Sequence, residues 1–344
     1  MESRKRGCLS REVIDPIVLN AGSTILPYTT KPTWHGYGPD LNASPAYGLE
    51  IEIAFENSND QYESLRVPKN TFPYGTIWKS DSSIPTREFP FGAELVSAPM
   101  TLKFLRSSKS PFTETLNALS EKGAQTPYSC GMHVHVSAEG LTTTELYKLL
   151  ILCRVMHHEL FKFSGRSERT FNEYSRLYGD IDDFLVGQIG IRGIFSFSGL
   201  TRGGTIECRL FHSTLNPMLV IANVELVDTL LAFVVDTPVI GIIKKSTPLD
   251  FLAFAKSRGC KFLPYYWEPC LLSNYPHGLV SWSRQLCLYR RAAGDRLLAQ
   301  GTQRIRRGNT REAARGFAAI GEIMSRPIYL GAGAPLVRTR RIEF

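Results

Sequence analysis

Glu50 and Glu52 lie one residue apart in Tyr47-Gly48-Leu49-Glu50-Ile51-Glu52-Ile53-Ala54-Phe55. Leu49, Ile51 and Ile53 alternate with them, which is the period of a β-strand. Both carboxylates therefore leave one face and the apolar side chains leave the other. Two like charges on one face of an apolar segment repel each other and lose hydration. A divalent cation is the simplest compensation, since hard cations choose carboxylate oxygens. A half-exposed strand with a solvated acidic face has the same spelling, so the pair needs company before it reads as a site.

Three further segments supply that company. Trp78-Lys79-Ser80-Asp81-Ser82-Ser83 reads as a strand end running into a turn, and Gly92 to Ser97 reads as a strand with Glu94 facing opposite to Leu95. In Cys130-Gly131-Met132-His133-Val134-His135-Val136, the two histidines share one face, and Met132, Val134 and Val136 share the other. Histidine ligates metals, donates to phosphate or carboxylate, and titrates near neutrality. In Thr205-Ile206-Glu207-Cys208-Arg209-Leu210-Phe211, Glu207 and Arg209 share a face. They make either a plain ion pair or a metal ligand beside a bidentate grip on a phosphoryl or carboxylate oxygen.

If the four strands adjoin, one sheet face is a floor of Glu50, Glu52, Glu94, His133, His135, Glu207 and Arg209. Such a floor suits a polyanion bound through Mg²⁺. Zinc fits less well, because neither Cys-x-x-Cys nor His-Glu-x-x-His occurs.

The order Gly-x-Glu-x-Glu, Trp-Lys-x-Asp-x-Ser, Gly-x-Glu-Leu-Val-Ser, Cys-Gly-x-His-Val-His and Thr-Ile-Glu-x-Arg-Leu-Phe-x-x-Thr resembles the amidoligases. These belong to the carboxylate–amine ligase superfamily of glutamine synthetase and glutamate–cysteine ligase. Arg169-Thr170-Phe171-Asn172-Glu173-Tyr174 resembles that family's Arg-x-x-Asn-x-Tyr stretch, and the likeness covers roughly residues 47 to 235. The resemblance implies an α+β fold: a curved, mainly antiparallel sheet with helices on its outer face, as in the glutamine synthetase catalytic domain. It implies ATP and two or more Mg²⁺ on the inner face, and amide formation through an acyl phosphate. Carried onto this chain, Glu50, Glu52, Glu94 and Glu207 match metal ligands. His133 and His135 match the histidine strand near metal and nucleotide phosphates, and Arg209 matches the phosphate-facing arginine. Cys208 departs from the aromatic or aliphatic residue usual between the last Glu and Arg.

The residue types suit phosphoryl transfer, which depends on positioning and charge neutralisation. Lys79, Arg169 and Arg192 are candidate phosphate-binding helpers, and each also reads as an ordinary surface cation. Asp81 is a candidate for orienting the amine, and a turn-stabilising role is its plainer reading.

The elements that must position these residues are legible in part. Residues 1–46 are rich in Pro, Gly, Ser and Thr and read as an extended lead-in, followed by a catalytic domain over 47–259. Ser110-Pro111 opens a helix of about a dozen residues. Thr142 and Glu145 have capping-box spacing for a longer one that ends near His157 and His158. A third helix spans about Pro217 to Val235. The aromatic and proline-rich segment from Cys260 to Pro276 reads as a linker, lid or partner-binding loop, and Ser281 to Ser325 as mostly helical.

At 344 residues the chain can bury a sizeable core, and 43% hydrophobic with 21% charged residues is a globular composition. Leu226 to Ile243 comes closest to a membrane span but carries Asp228 and Asp236, so no span is expected. Seven cysteines without framework spacing, and a polar basic N-terminus, point to a reducing, cytoplasmic setting. From Arg290 onward, twelve arginines face four acids, a surplus equal to the chain's net +8. That tail reads either as a solvated surface or as a site for nucleic acid or an acidic partner.

Three functions compete: an ATP-dependent carboxylate–amine ligase, a metal-dependent amide or phosphate hydrolase, and a non-catalytic scaffold with a basic binding tail. The segments favour the ligase. Its carboxylate and its amine, which ranges from ammonia to a protein lysine, stay open, as does assembly into oligomers.

Overall fold

The computed structural model describes residues 25–27, 45–67, 75–107, 110–138, 141–167, 193–197, 204–238, 241–242, 247–272, 329–330 and 334–335. The chain is mixed α+β: eight of its described strands make a mostly antiparallel, non-closed sheet, two more make a separate pair, and helices accompany them. It divides into two compact units. The first takes the described residues within Met1–Met132 and Ser213–Val220, the second those within His133–His212 and Ile221–Phe344.

The first unit contains β1 (Ile25–Leu26), β2 (Ala46–Phe55), α1 (Ser58–Leu65), β3 (Thr76–Lys79), β4 (Phe91–Ser97), β5 (Met100–Thr101), α2 (Leu102–Leu105), α3 (Pro111–Glu121) and the first two residues of β6 (Gly131–Ser137). Its strands run in the order β1-β3-β4-β2, with β5 pairing the start of β2. β2 is the longest strand and lies antiparallel to β4, with Glu50 opposite Val96 and Glu52 opposite Glu94. β3 lies antiparallel to β4 with Lys79 opposite Glu94. β1, part of the expected lead-in, adds a parallel edge to β3.

Because side chains alternate, register sorts each face. Leu49, Ile51, Ile53, Ala93, Leu95 and Trp78 share one face and are buried. The other face carries Glu50, Glu52, Glu94 and Lys79. It is flanked by two small apolar clusters: Ile77 and Val96 with Leu26 beside them, and Ala54, Ile84 and Cys130 with Phe89 beside them. The helices are tied down locally. Asn57 caps α1 by accepting from Asp60 N–H at 2.8 Å, and Trp78 Nε1 donates to Leu65 O at 3.2 Å. α3 starts at Pro111, whose missing N–H costs nothing at a first helical position.

The second unit holds the rest of β6, α4 (Thr143–Val155), α5 (His157–Ser164), β7 (Phe195–Ser196), β8 (Thr205–His212), most of α6 (Pro217–Asp236), α7 (Pro248–Ser257), α8 (Phe262–Leu272), β9 (Tyr329–Leu330) and β10 (Ala334–Pro335). β8 sits between β6 and β7, and β9 pairs antiparallel with β10. The predicted capping box is present: Thr142 Oγ1 accepts from Glu145 N–H, and Glu145 Oε2 accepts from Thr142 N–H. The helix it opens breaks at Met156, and the two histidines begin α5 rather than ending α4. Gly165 closes α5 in the left-handed region at φ 68°, where a Cβ is disfavoured.

The aromatic segment differs from its expectation. It is helix α8, not a loop, because its aromatic side chains find a core. Trp267 packs on Phe163 and Phe251 at ring separations of 5.1 and 5.2 Å. The start of α8 is also held from a distance. The carboxylate of Glu225, fully buried on α6, accepts from the N–H groups of Lys261, Phe262 and Leu263 at 3.3, 3.0 and 2.7 Å. By length and mean hydropathy (2.1) α6 could cross a membrane, but 72% of its apolar window is buried, as in a core helix. The C-terminal arginines from Arg290 onward, and the helical expectation for Ser281 to Ser325, lie outside the described residues.

Candidate functional site

Within the first unit, register concentrates the acids. Glu52 and Glu94 are direct cross-strand partners, and Glu50 shares their face two residues along β2. Glu94 is 1% exposed and Glu52 is 6% exposed. Burial, then the charge of Glu50, pushes the Glu94 carboxyl up to about 10, and a hydrogen bond to Glu50 and the Glu52 charge add to this against the opposing pull of Lys79. Glu94 therefore keeps its proton at neutral pH. Its Oε2 is buried and has no hydrogen-bond partner among the described residues. An orphaned carboxyl oxygen costs roughly 1–3 kcal/mol where it stands, a cost that a cation or a hydrogen-bond donor would offset.

Glu52 is partly committed already. Its Oε2 accepts from Gly131 N–H at 2.5 Å, and its backbone oxygen accepts from Ser213 Oγ at 2.6 Å. That carboxylate anchors the start of β6. Lys79 is half-buried opposite Glu94, placing a cation at the acid cluster's edge. Asp81 closes the turn after β3: its Oδ1 accepts from Ser83 N–H and Ser83 Oγ, both at 2.7 Å. It also lines a cavity of about 640 Å³ with Gln61, Ser80, Ser82, Pro85, Pro90, Phe91 and Gly92. The sequence offered no sign of that cavity, since its walls come from three separate segments.

Within the second unit, β6 and β8 bring the basic groups to a carboxylate. His133 is 6% exposed, and its Nδ1 lies 3.2 Å from Glu207 Oε1. Arg209 Nε lies 3.2 Å from the same oxygen. The predicted Glu207–Arg209 neighbours thus form an ion pair along one strand. The Nδ1 contact of His133 to a carboxylate is the kind that orients metal-binding histidines. His135 follows on the same face of β6, half-buried. Cys208 points the other way, fully buried, and burial pushes its thiol up to about 12, so it packs rather than reacts. Arg169 and Arg192 lie outside the described residues.

No family model matches the chain, and no curated protein matches it.

Proposed function

We propose that the chain is an ATP-dependent carboxylate–amine ligase with the curved-sheet, glutamine synthetase-like arrangement that its motif order resembles. The observation that carries the reading is Glu94: a buried carboxyl crowded by Glu50 and Glu52, with an oxygen left unsatisfied. A cluster of this kind fits divalent cations, because metal ions satisfy orphan carboxylate oxygens and reverse the repulsion that keeps Glu94 protonated. On the first unit the assigned ligands are Glu50 and Glu94; on the second, described by itself, Glu207 with His133 and His135 mixes carboxylate oxygen with imidazole nitrogen. Glu52 is assigned a positioning role, since it holds Gly131.

In this reading ATP would supply the phosphoryl group and Mg²⁺ would neutralise its charge. The carboxylate substrate takes the γ-phosphoryl group and ADP leaves. The amine, having given up its ammonium proton to solvent, would then attack the acyl carbon; phosphate leaves as the C–N bond forms and takes up the proton the nitrogen loses. Lys79 and Arg209 supply fixed positive charge toward the transferred group. The test is ADP release with a panel of carboxylates and amines. The ligase reading predicts strict ATP dependence, and loss of turnover in Glu50→Gln and Glu207→Gln. Amide or phosphate cleavage without ATP would replace it with the hydrolase reading.

A further inference from the structure

The cavity beside the β3 turn has a composition that selects its occupant. Among its described lining residues the charged one is Asp81, with no Lys or Arg. Ser83 holds Asp81 through Oδ1 alone, which fixes the carboxylate while its other oxygen serves a ligand. Gln61 donates one amide N–H to Gly92 O at 3.3 Å, which orients its side-chain amide and leaves the carbonyl oxygen as an acceptor. Ser80 and Ser82 add hydroxyls, while Phe91, Pro85 and Pro90 give apolar walls. The charged side chain among these described residues is a carboxylate, which repels an anion. A cation with several N–H donors finds a carboxylate and neutral acceptors.

Size narrows the class further. Ammonia is about as large as a water, whose share of liquid volume is about 30 Å³. An open cavity of about 640 Å³ has room for a longer molecule, with apolar side chains as well as acceptors in its lining. Its position also connects it to the acids. Gly92 precedes Glu94 by two residues on β4, about 7 Å along the strand. Asp81 follows Lys79, the register partner of Glu94, by two. Gly92 is part of the construction: a Cβ there would meet Ile84 Cγ2 at 2.6 Å, so the loop 80–90 lies directly on the strand.

We infer that this cavity binds the acceptor substrate as a primary alkylammonium group on a flexible chain, such as a lysine-like side chain, rather than ammonia. The inference rests on the ligase reading for the amine's role as acceptor, but binding itself needs no nucleotide. The probe is n-butylamine, titrated without ATP or Mg²⁺ while the backbone amides of residues 80–83 and 92 are followed by NMR. n-Butanol and n-butyrate are the controls. Saturable shifts with n-butylamine, at least tenfold weaker for both controls, are expected. Asp81→Asn, which keeps an oxygen for Ser83, and Ser82→Lys, an exposed change that puts a competing cation at the site, each weaken binding tenfold or more. Equal response to butanol, or unchanged affinity in Ser82→Lys with the fold intact, overturns the inference, as does absence of any saturable shift in the wild type. Mg²⁺-ATP calorimetry on the wild type separates the two claims. Nucleotide binding without amine binding removes the cavity assignment and leaves the ligase. Amine binding without nucleotide binding does the reverse.

Discussion

Replacing Glu94 with glutamine removes a titrating group without changing its shape, and its effect on stability follows from linkage. In the unfolded chain the carboxyl titrates near 4.5; in the folded protein it is pushed up to about 10. Between those values the folded state holds a proton that the unfolded state has lost. Stability from this group is therefore complete below pH 4.5 and drains as pH rises toward 10, at about 1.4 kcal/mol per pH unit. From pH 5 to pH 8 the loss is about 4 kcal/mol. The amide in Glu94→Gln has no such proton to lose, so the gap between variant and wild type moves by that amount in the variant's favour. The assay is urea unfolding at several pH values with a chelator present. With a denaturant slope of about 3 kcal/mol/M, the two midpoints should separate by on the order of 1 M across the range. Parallel pH profiles for the two proteins would show that Glu94 is ionised in the folded state, and the argument from an uncompensated acid cluster would fail.

Glu225→Ala strands three N–H groups at the start of α8 and should cost about 3 kcal/mol in urea unfolding, with Glu225→Gln costing about half of that. Gly165→Ala forces a Cβ into the left-handed region at φ 68° and should cost about 1 kcal/mol by the same assay, although the nearest atom, His212 Cβ at 3.5 Å, leaves it room. Arg209→Lys keeps the charge but loses the Nε contact to Glu207, and ADP release should drop roughly tenfold or more while Mg²⁺ affinity holds.

Strand periodicity made much of this legible. Leu49, Ile51 and Ile53 alternating with Glu50 and Glu52 fix both the strand and its facing, and α3, α4 and α6 announce themselves through Pro111, the Thr142–Glu145 box and an apolar run. Register was not legible. Nothing local to Glu94 says that it faces Glu52 and Lys79, because pairing is set by long-range packing, so a lone strand glutamate became a strongly perturbed acid. The same limit hid the buried Glu225 cap, whose partners lie 36 to 38 residues downstream. It also disguised α8, whose aromatics and prolines look loop-like until Phe163 and Phe251 supply a core for Trp267.

The central claim is that the acid face holds Mg²⁺ with a nucleotide. Calorimetry of ATP binding, with and without Mg²⁺, in the wild type and in Glu50→Gln/Glu52→Gln tests it without knowledge of either substrate. The amide oxygen introduced by Glu52→Gln can still accept from Gly131 N–H, so the fold should survive the change. The account predicts binding that requires Mg²⁺ and disappears in the double variant. Binding that ignores Mg²⁺, or that persists undiminished in a folded double variant, would contradict it.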